Sequence, residues 1–421
     1  MSGFKIKGLR WWMISLIMVG SMINFLTRST LGNTASTLKA NLGIDEQHYS
    51  WVLNAFQLTV MLQPIAGYVL DVIGLRIGFA FFATVWSVAN MCHTFAHGWQ
   101  TLAGLRAVMG FAEGSANPAG MKTVAEWFPA KERGFAGGLF NIGASVGSMV
   151  AAPLVAWCLK YHHWQTAFVI SGGIGLGWVL LWLMCYRPRT RHPALTEAEK
   201  DYIVAGQEKY LEGGTTRPSV WAILQQRNFW GIALPRFLAD PMWTTLTSWM
   251  PLYLLEVRHL DLKQFALFAW LPFLGADLGC MFGGVVVAAL QKRGVGLINA
   301  RRSAFTLGAC LMTGMLFVGF VHSPYAAIAL LSLGGFAHQT LSVTVITMSS
   351  DLFKRSEVAT VAGMAGTCGN AGVLGYNFLI GLLVVTIGYT PFFIGVVVLD
   401  LIGAAVLWAF VKERNTVVAA G

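Results

Sequence analysis

The sequence predicts an all-α integral membrane protein with twelve transmembrane helices, and composition is the first evidence. Only 11% of its 421 residues are charged and 56% are hydrophobic, whereas about 25% of the residues of a soluble protein are charged. Residues 134–159 and 358–399 contain no charged side chain. The second run is long enough for two spans, because one span needs about 20 apolar residues.

Apolar segments of suitable length follow one another along the whole chain. The motif "IGYTP" at 387–391 marks the turn between the last two. The predicted spans are 11–32, 49–71, 76–97, 100–122, 134–158, 164–186, 229–256, 264–290, 302–321, 324–350, 357–386 and 389–411.

A polar stretch divides these spans into two groups of six. The predicted domains are an N-terminal bundle at 1–186, a cytoplasmic linker at 187–228 and a C-terminal bundle with a short tail at 229–421. Thr196 and Glu199 have capping-box spacing, so the linker should contain a surface helix that begins there and ends by Gly213.

The distribution of positive charge predicts the orientation. The net charge is +10, which in a soluble protein would suggest nucleic acid, but here most basic residues fall in alternate loops. The opposite loops contain only Lys39, Lys160, Arg258 and Lys263. This positive-inside pattern places both termini in the cytoplasm and makes the lipid bilayer the partner.

Other sequence features indicate the compartment. The first apolar segment is too long for a signal peptide and contains Arg28, so it should be an uncleaved span. The six cysteines lack C-x-x-C spacing and should be small hydrophobic residues. Since no N-x-S/T sequon occurs, we expect a multi-pass protein of a bacterial inner membrane.

The two halves share short motifs in corresponding spans. "GFAE" at 110–113 matches "GFAH" at 335–338, "NIG" at 141–143 matches "NAG" at 370–372, and Arg28 in span one corresponds to Arg236 in span seven. Repeats of six spans are typical of secondary transporters whose substrate binds near the bilayer midplane between the repeats.

The segment "GYVLDVIGLRI" at 67–77 resembles the signature of the major facilitator superfamily, through Gly67, Asp71, Gly74 and Arg76. Within that superfamily the chain resembles the anion:cation symporters in Arg28, Arg106, Glu113, Arg236 and "EWFPAKERG" at 126–134. It looks most similar to bacterial hexuronate transporters in "IKGLRWWMI" at 6–14, "FWGIALPRFLADP" at 229–241 and "GGFAHQ" at 334–339.

This resemblance implies a transporter and no enzyme. It implies import of a monocarboxylate sugar acid, such as galacturonate or glucuronate, by proton symport, with no cofactor and as a monomer. An aldonate or aldarate importer, another organic-anion symporter or exchanger, and a non-transporting sensor remain alternatives. No P-loop, G-x-G-x-x-G or H-E-x-x-H motif occurs, so we expect no ATP or metal site.

Glu113 is the predicted proton carrier. Arg106, Gly110, Glu113 and Asn117 share one face of a continuous helix. Arg106 would lie about 10 Å from Glu113 along the axis, too far for a direct pair unless both side chains bend. An intramembrane carboxylate indicates function by default, although a static ion pair is the alternative. Relatives carry Asp where this chain has Thr27, so Glu113 should be the only carrier, moving one proton with each monovalent anion.

Asp240 lies four residues after Arg236, a spacing that suits an intrahelical ion pair. Because Arg236 would then be occupied, Arg28 is the predicted ligand of the substrate carboxylate. Snorkelling of Arg28 to the interface is the alternative. Arg106 should support Glu113 rather than contact substrate, and His338 could join the proton path instead of binding sugar. The further substrate-binding candidates are Arg236, Asn141, Trp243, His338, Gln339 and Asn370.

Asp71, Arg76 and Arg133 are predicted to form a cytoplasmic gate, with Glu132 beside them, although they could be loop charges that only set topology. Asp277 and Asp400 are predicted to make polar contacts between packed helices.

Overall fold

In lipid, the backbone N–H and C=O groups of a long apolar segment must bond to each other within that segment. The chain is accordingly helical. The computed structural model describes residues 5–129, 132–205, 220–353 and 355–412. Within these ranges the β-structure is limited to one isolated bridge, between Ile6 and Leu195. The prediction of an all-helical fold is therefore confirmed.

The chain forms two units. The first comprises Met1–Thr215 and Thr247–Trp270, and the second comprises Thr216–Leu246 and Leu271–Gly421. The helices described in the first unit are α1 (Leu9–Leu42), α2 (Glu46–Val60), α3 (Gln63–Ile73), α4 (Leu75–Cys92), α5 (Trp99–Glu113), α6 (Ala116–Trp127), α7 (Arg133–Tyr161), α8 (Trp164–Cys185), α9 (Glu197–Ala205), α13 (Met250–Leu252) and α14 (Leu262–Phe268).

The helices described in the second unit are α10 (Val220–Leu224), α11 (Arg227–Ala239), α12 (Pro241–Thr244), α15 (Leu271–Lys292), α16 (Leu297–Leu311), α17 (Pro324–Leu352), α18 (Arg355–Ile387) and α19 (Thr390–Phe410). Short 3₁₀ segments lie at His93–Phe95, Arg189–Arg191 and Met312–Phe317. Two π-helical turns, Thr245–Trp249 and Tyr253–Val257, flank α13.

Each predicted span coincides with helix, but several spans are interrupted. Within the described residues, eight helices are long and apolar enough to cross a membrane, and a ninth span is counted if α2 and α3, bent by 42°, are taken together. Pro64 lies in the first turn of α3, and Pro241 and Pro251 begin new helices within span seven. Proline lacks the N–H that would continue the preceding helix.

One boundary differs from the prediction. The segment 247–270, which covers the later part of span seven and the start of span eight, belongs to the first unit. Three contacts hold it there. The Tyr49 hydroxyl donates to the Ser248 carbonyl at 3.2 Å, Gly32 packs against the Thr247 carbonyl, and Lys39 pairs with Glu256 at 3.1 Å.

The repeated motifs make the same backbone contact in each unit. A Cβ on Gly110 would collide with the Phe56 carbonyl of α2, and one on Gly335 would collide with the Pro272 carbonyl of α15. Gly143 and Gly372, the glycines of "NIG" and "NAG", pack on carbonyls of α1 and α11 in the same way. The match between the motifs therefore reflects shared helix packing.

The linker helix begins as predicted, since the N–H of Glu199 donates to the Thr196 hydroxyl at 3.3 Å. The Glu199 side chain contacts a different helix. Its Oε2 accepts from the N–H groups of Gly8 and Leu9 at 3.1 and 3.0 Å, and its Oε1 accepts from Arg10. Glu199 therefore caps the N-terminus of α1. The predicted end of the linker helix, at Gly213, lies outside the described residues.

The buried core of the first unit contains several large aromatic side chains among its aliphatic ones. Trp86, Trp127 and Trp182 are fully buried, and Trp182 stacks on Tyr186 with ring centroids 4.1 Å apart. All six cysteines are free thiols in the structure.

Candidate substrate and proton site

Glu113 is the last residue of α5, and its side chain points at α1. Only 2% of the residue is exposed. Its Oε2 accepts from Arg28 Nε at 3.0 Å, and its Oε1 accepts from the Thr27 hydroxyl at 3.0 Å. A buried carboxylate is stable only when paired and hydrogen-bonded, and two consecutive residues of α1 supply both partners here.

Arg28 is therefore not the uncommitted cation that the sequence predicted. It is ion-paired with Glu113, which lies 85 residues away in the chain, and snorkelling does not describe it either. The side chain is 23% exposed, and its guanidinium lies over the rings of Phe25 and Phe56 at 4.6 and 4.9 Å. The ion pair with Glu113 is made through the Nε of Arg28.

Arg106 contacts the same aromatic ring, that of Phe56. Its guanidinium is 4.3 Å from the centroid of Phe56, so that ring contacts two arginines. Arg106 is 3% exposed, and its Nε has no hydrogen-bond partner among the described residues. It does not bond Glu113 directly, in agreement with the separation expected along the helix.

The predicted polar face is shorter than expected. Span four breaks at Gly114 and Ser115, so that Asn117 belongs to α6 and is exposed. The polar face at this site therefore ends with Glu113.

In the second unit, Arg236 pairs with Asp240 at 3.2 Å, as the spacing predicts. Gly369 of α18 packs directly against the Asp240 carboxyl, where any Cβ would collide. One turn beyond the pair, Trp243 stacks on His338, with ring centroids 6.2 Å apart. The structure thus brings together three of the predicted substrate-binding residues: Arg236, Trp243 and His338.

The other predicted ligands are less well placed. Gln339 and Asn370 are half-buried in α17 and α18, and the Asn141 side chain lies outside what the structure describes. The sequence reasoning missed Asn377, which is buried and accepts from the Thr244 hydroxyl at 2.9 Å. It also missed Asn24, which is buried on α1 one turn before Arg28. Both are polar residues in otherwise apolar segments, which is the signal that could have revealed them.

Two residues of the predicted gate region, Arg76 and Glu132, make contacts within the first unit. Arg76 donates to the Leu183 carbonyl at the end of α8, where it satisfies a helix C-terminus. Glu132 pairs with Arg10 at 3.1 Å and accepts from the Tyr202 hydroxyl at 2.6 Å. The side chains of the other two predicted members, Asp71 and Arg133, lie outside the described residues.

Asp400 also departs from its predicted role in helix packing. It is fully buried in α19, yet neither carboxyl oxygen has a hydrogen-bond partner among the described residues.

Comparisons with known proteins agree with this architecture. The profile of the Major Facilitator Superfamily matches residues 17–300. The chain is 45% identical over 416 residues to the hexuronate transporter of Escherichia coli strain K12, covering 98% of this chain and 96% of that protein. It is 46% identical over 329 residues to the galacturonate transporter of Dickeya chrysanthemi, covering 77% and 95% of the two chains. The crystal structure of a D-xylose-proton symporter superposes with a TM-score of 0.72 at 14% identity, covering 95% and 97%. The chain therefore belongs to the major facilitator superfamily.

Proposed function

We propose that this protein imports a hexuronate, such as galacturonate or glucuronate, by proton symport with alternating access. The similarity to named hexuronate and galacturonate transporters along most of the chain supports the substrate class. The observation that carries the coupling is the buried contact of Glu113 with Thr27 and Arg28. It joins an acid that can carry a proton to a cation that can bind a sugar acid.

The pair couples the two ligands by competition for one guanidinium. Arg28 offers a planar fork that suits a carboxylate, but while Glu113 is ionised it holds Arg28. A proton on Glu113 removes its negative charge and releases Arg28 to bind the substrate carboxylate. Loss of that proton restores the pair and displaces the substrate. Phe56 supports both Arg28 and Arg106 by cation–π contact.

Sugar hydroxyls need amide, imidazole or indole partners. Trp243 and His338 are stacked in the second unit, and Gln339, Asn370 and Asn141 are further candidates. We assign Arg236 a substrate-binding role, with Asp240 holding its guanidinium in place.

We further propose twelve spans with both termini in the cytoplasm, in a bacterial inner membrane, and a monomeric protein. The positive-inside distribution of basic residues supports this orientation. Asp71 and Arg133 keep their proposed role in closing the cytoplasmic side.

Uptake by purified protein in proteoliposomes tests the proposal. Labelled galacturonate and glucuronate should accumulate when the outside is acidic, and aldonates and aldarates should compete weakly. Glu113→Gln should keep substrate counterflow but lose accumulation by about tenfold per unit of pH gradient, since one proton contributes about 1.4 kcal/mol per unit. Glu197→Gln, in the exposed part of α9, is the matched control. Full accumulation by Glu113→Gln would refute the assignment, and binding without counterflow in the wild type would indicate a sensor.

A further inference from the structure

The buried acid in α19 is not explained by packing. Asp400 has none of its surface exposed, and neither of its carboxyl oxygens has a hydrogen-bond partner within the described part of the chain. Burial of a polar group without a partner is unfavourable, and burial of an unpaired charge is much more so. A carboxyl in such a place therefore calls for a ligand of its own.

The helix register places this acid beside the Arg236–Asp240 pair. α19 packs antiparallel to α11, with Val411 against Gly231 and Gly403 against Pro235, where a Cβ on the glycine would lie 3.6 Å from the Pro235 Cα. Asp400 lies three residues before Gly403 on α19, about 4.5 Å along the axis, and Asp240 lies five residues after Pro235 on α11, about 7.5 Å in the same direction. The two carboxyl groups thus lie in the same region of the second unit, where Asp240 acts electrostatically on Asp400.

The other elements packed on α19 bring few charged groups to this level. From α18, the Tyr376 hydroxyl is used in a bond to the Phe392 carbonyl. From α16, Arg302 lies over Trp408, near the other end of α19. The 3₁₀ segment Met312–Phe317 has no titratable residue.

His338 of α17 and Cys368 of α18 lie within electrostatic range of Arg236. On α11, Arg236 is ion-paired with Asp240, and its Nε has no hydrogen-bond partner among the described residues.

We propose that Asp400 is a second proton-binding site, so that two protons accompany each sugar acid. With a proton on Asp400, the cluster of Arg236, Asp240 and Asp400 carries no net charge. After that proton leaves, the unused Nε–H of Arg236 can stabilise the Asp400 carboxylate. A metal cation would need several oxygen ligands, whereas a proton needs one. This proposal rests on the proposed function, and it replaces the expectation that Glu113 is the only carrier.

The test is voltage-driven uptake at equal pH on both sides of proteoliposomes that contain the full-length protein. Two protons and one monovalent anion move one net positive charge inward. A potential of 100 mV, negative inside, should therefore raise the wild-type accumulation limit of galacturonate by about 50-fold. Asp400→Asn should lose this response and keep counterflow, and Asp400→Glu should restore it. Asp277→Asn, another intramembrane acid of the second unit, is the matched control and should behave as the wild type does.

Four results would overturn the proposal: a wild-type limit that does not respond to voltage, an unchanged response in Asp400→Asn, loss of the response in Asp277→Asn, or a response that requires sodium. The wild-type response needs no variant, so misfolding of Asp400→Asn cannot hide the answer. Absence of uronate counterflow in the wild type would instead refute the proposed function itself, and this proposal with it.

Discussion

Removal of the Glu199 side chain should loosen the first turn of α1. Glu199 accepts hydrogen bonds from the N–H groups of Gly8, Leu9 and Arg10 and pairs with the Arg10 guanidinium at 2.8 Å. A carboxylate in this position satisfies N–H groups that have no partner within the helix and interacts favourably with the helix dipole.

The expected magnitude follows from these contacts. Loss of a helix cap costs about 1 kcal/mol, loss of the charge–dipole interaction about 0.5–1 kcal/mol, and loss of a charged hydrogen bond at least about 1 kcal/mol. The total for Glu199→Ala is about 2.5–3 kcal/mol of local stability, which corresponds to about 70- to 160-fold faster exchange of amides that open with this turn. Glu199→Gln keeps an acceptor and should lose about half of that free energy.

The assay is hydrogen exchange of the backbone amides of residues 8–11, measured by mass spectrometry on the detergent-solubilised protein. The control is Glu197→Ala on the same helix. Its side chain is 74% exposed and, within the described part of the chain, pairs with Lys200, an exposed contact of little energetic value. Unchanged exchange in Glu199→Ala, or equal acceleration in Glu197→Ala, would refute the capping role.

Three further predictions concern single side chains. Gly369→Ala should force a Cβ into the Asp240 carboxyl and raise the half-saturation concentration of substrate several-fold. Gly375→Ala on the same helix, with open space around it, should leave that concentration unchanged. Equal half-saturation concentrations for the two variants in uptake assays would contradict this. Arg76→Ala should lower the detergent melting temperature through loss of its bond to the end of α8, without a change in half-saturation; a raised half-saturation would return Arg76 to the gate. Burial lowers the pKa of His192 below its usual 6.5, so the folded state binds fewer protons at this side chain than the unfolded state does. The stability that neutral His192 contributes to the folded protein should therefore be lost as pH falls through the folded pKa. His192→Asn should be destabilised less by acid than the wild type, and identical profiles of stability against pH would disprove this.

Local features of this chain could be predicted from sequence, because they depend on residues close together in the chain. The length of an apolar run determines whether a helix can form across a bilayer, and each predicted span coincides with helix. The Arg236–Asp240 pair was predictable for the same reason, since i, i+4 residues share a helix face. The Thr196 cap also depends on a spacing of only three residues.

Contacts between helices could not be predicted in this way. Arg28 and Glu113 lie 85 residues apart, and Arg10 and Glu199 lie 189 apart. Both contacts depend on how the helices pack against one another, which composition and periodicity do not specify. The break after Glu113 was missed because Gly114 and Ser115 are both tolerated within a helix, so that only tertiary packing decides whether the helix bends there.

The two repeat-related arginines illustrate why similar motifs can serve different roles. Arg236 pairs with an acid of its own helix, so this pair can survive any movement of α11 against its neighbours. Arg28 pairs with an acid of a different helix, so a shift of α1 against α5 must stretch or break the contact. Only the second kind of pair links a change in charge to a change in helix packing. If the second unit also responds to a proton, the link must come from an acid on another helix, and Asp400 on α19 lies where such an acid is needed.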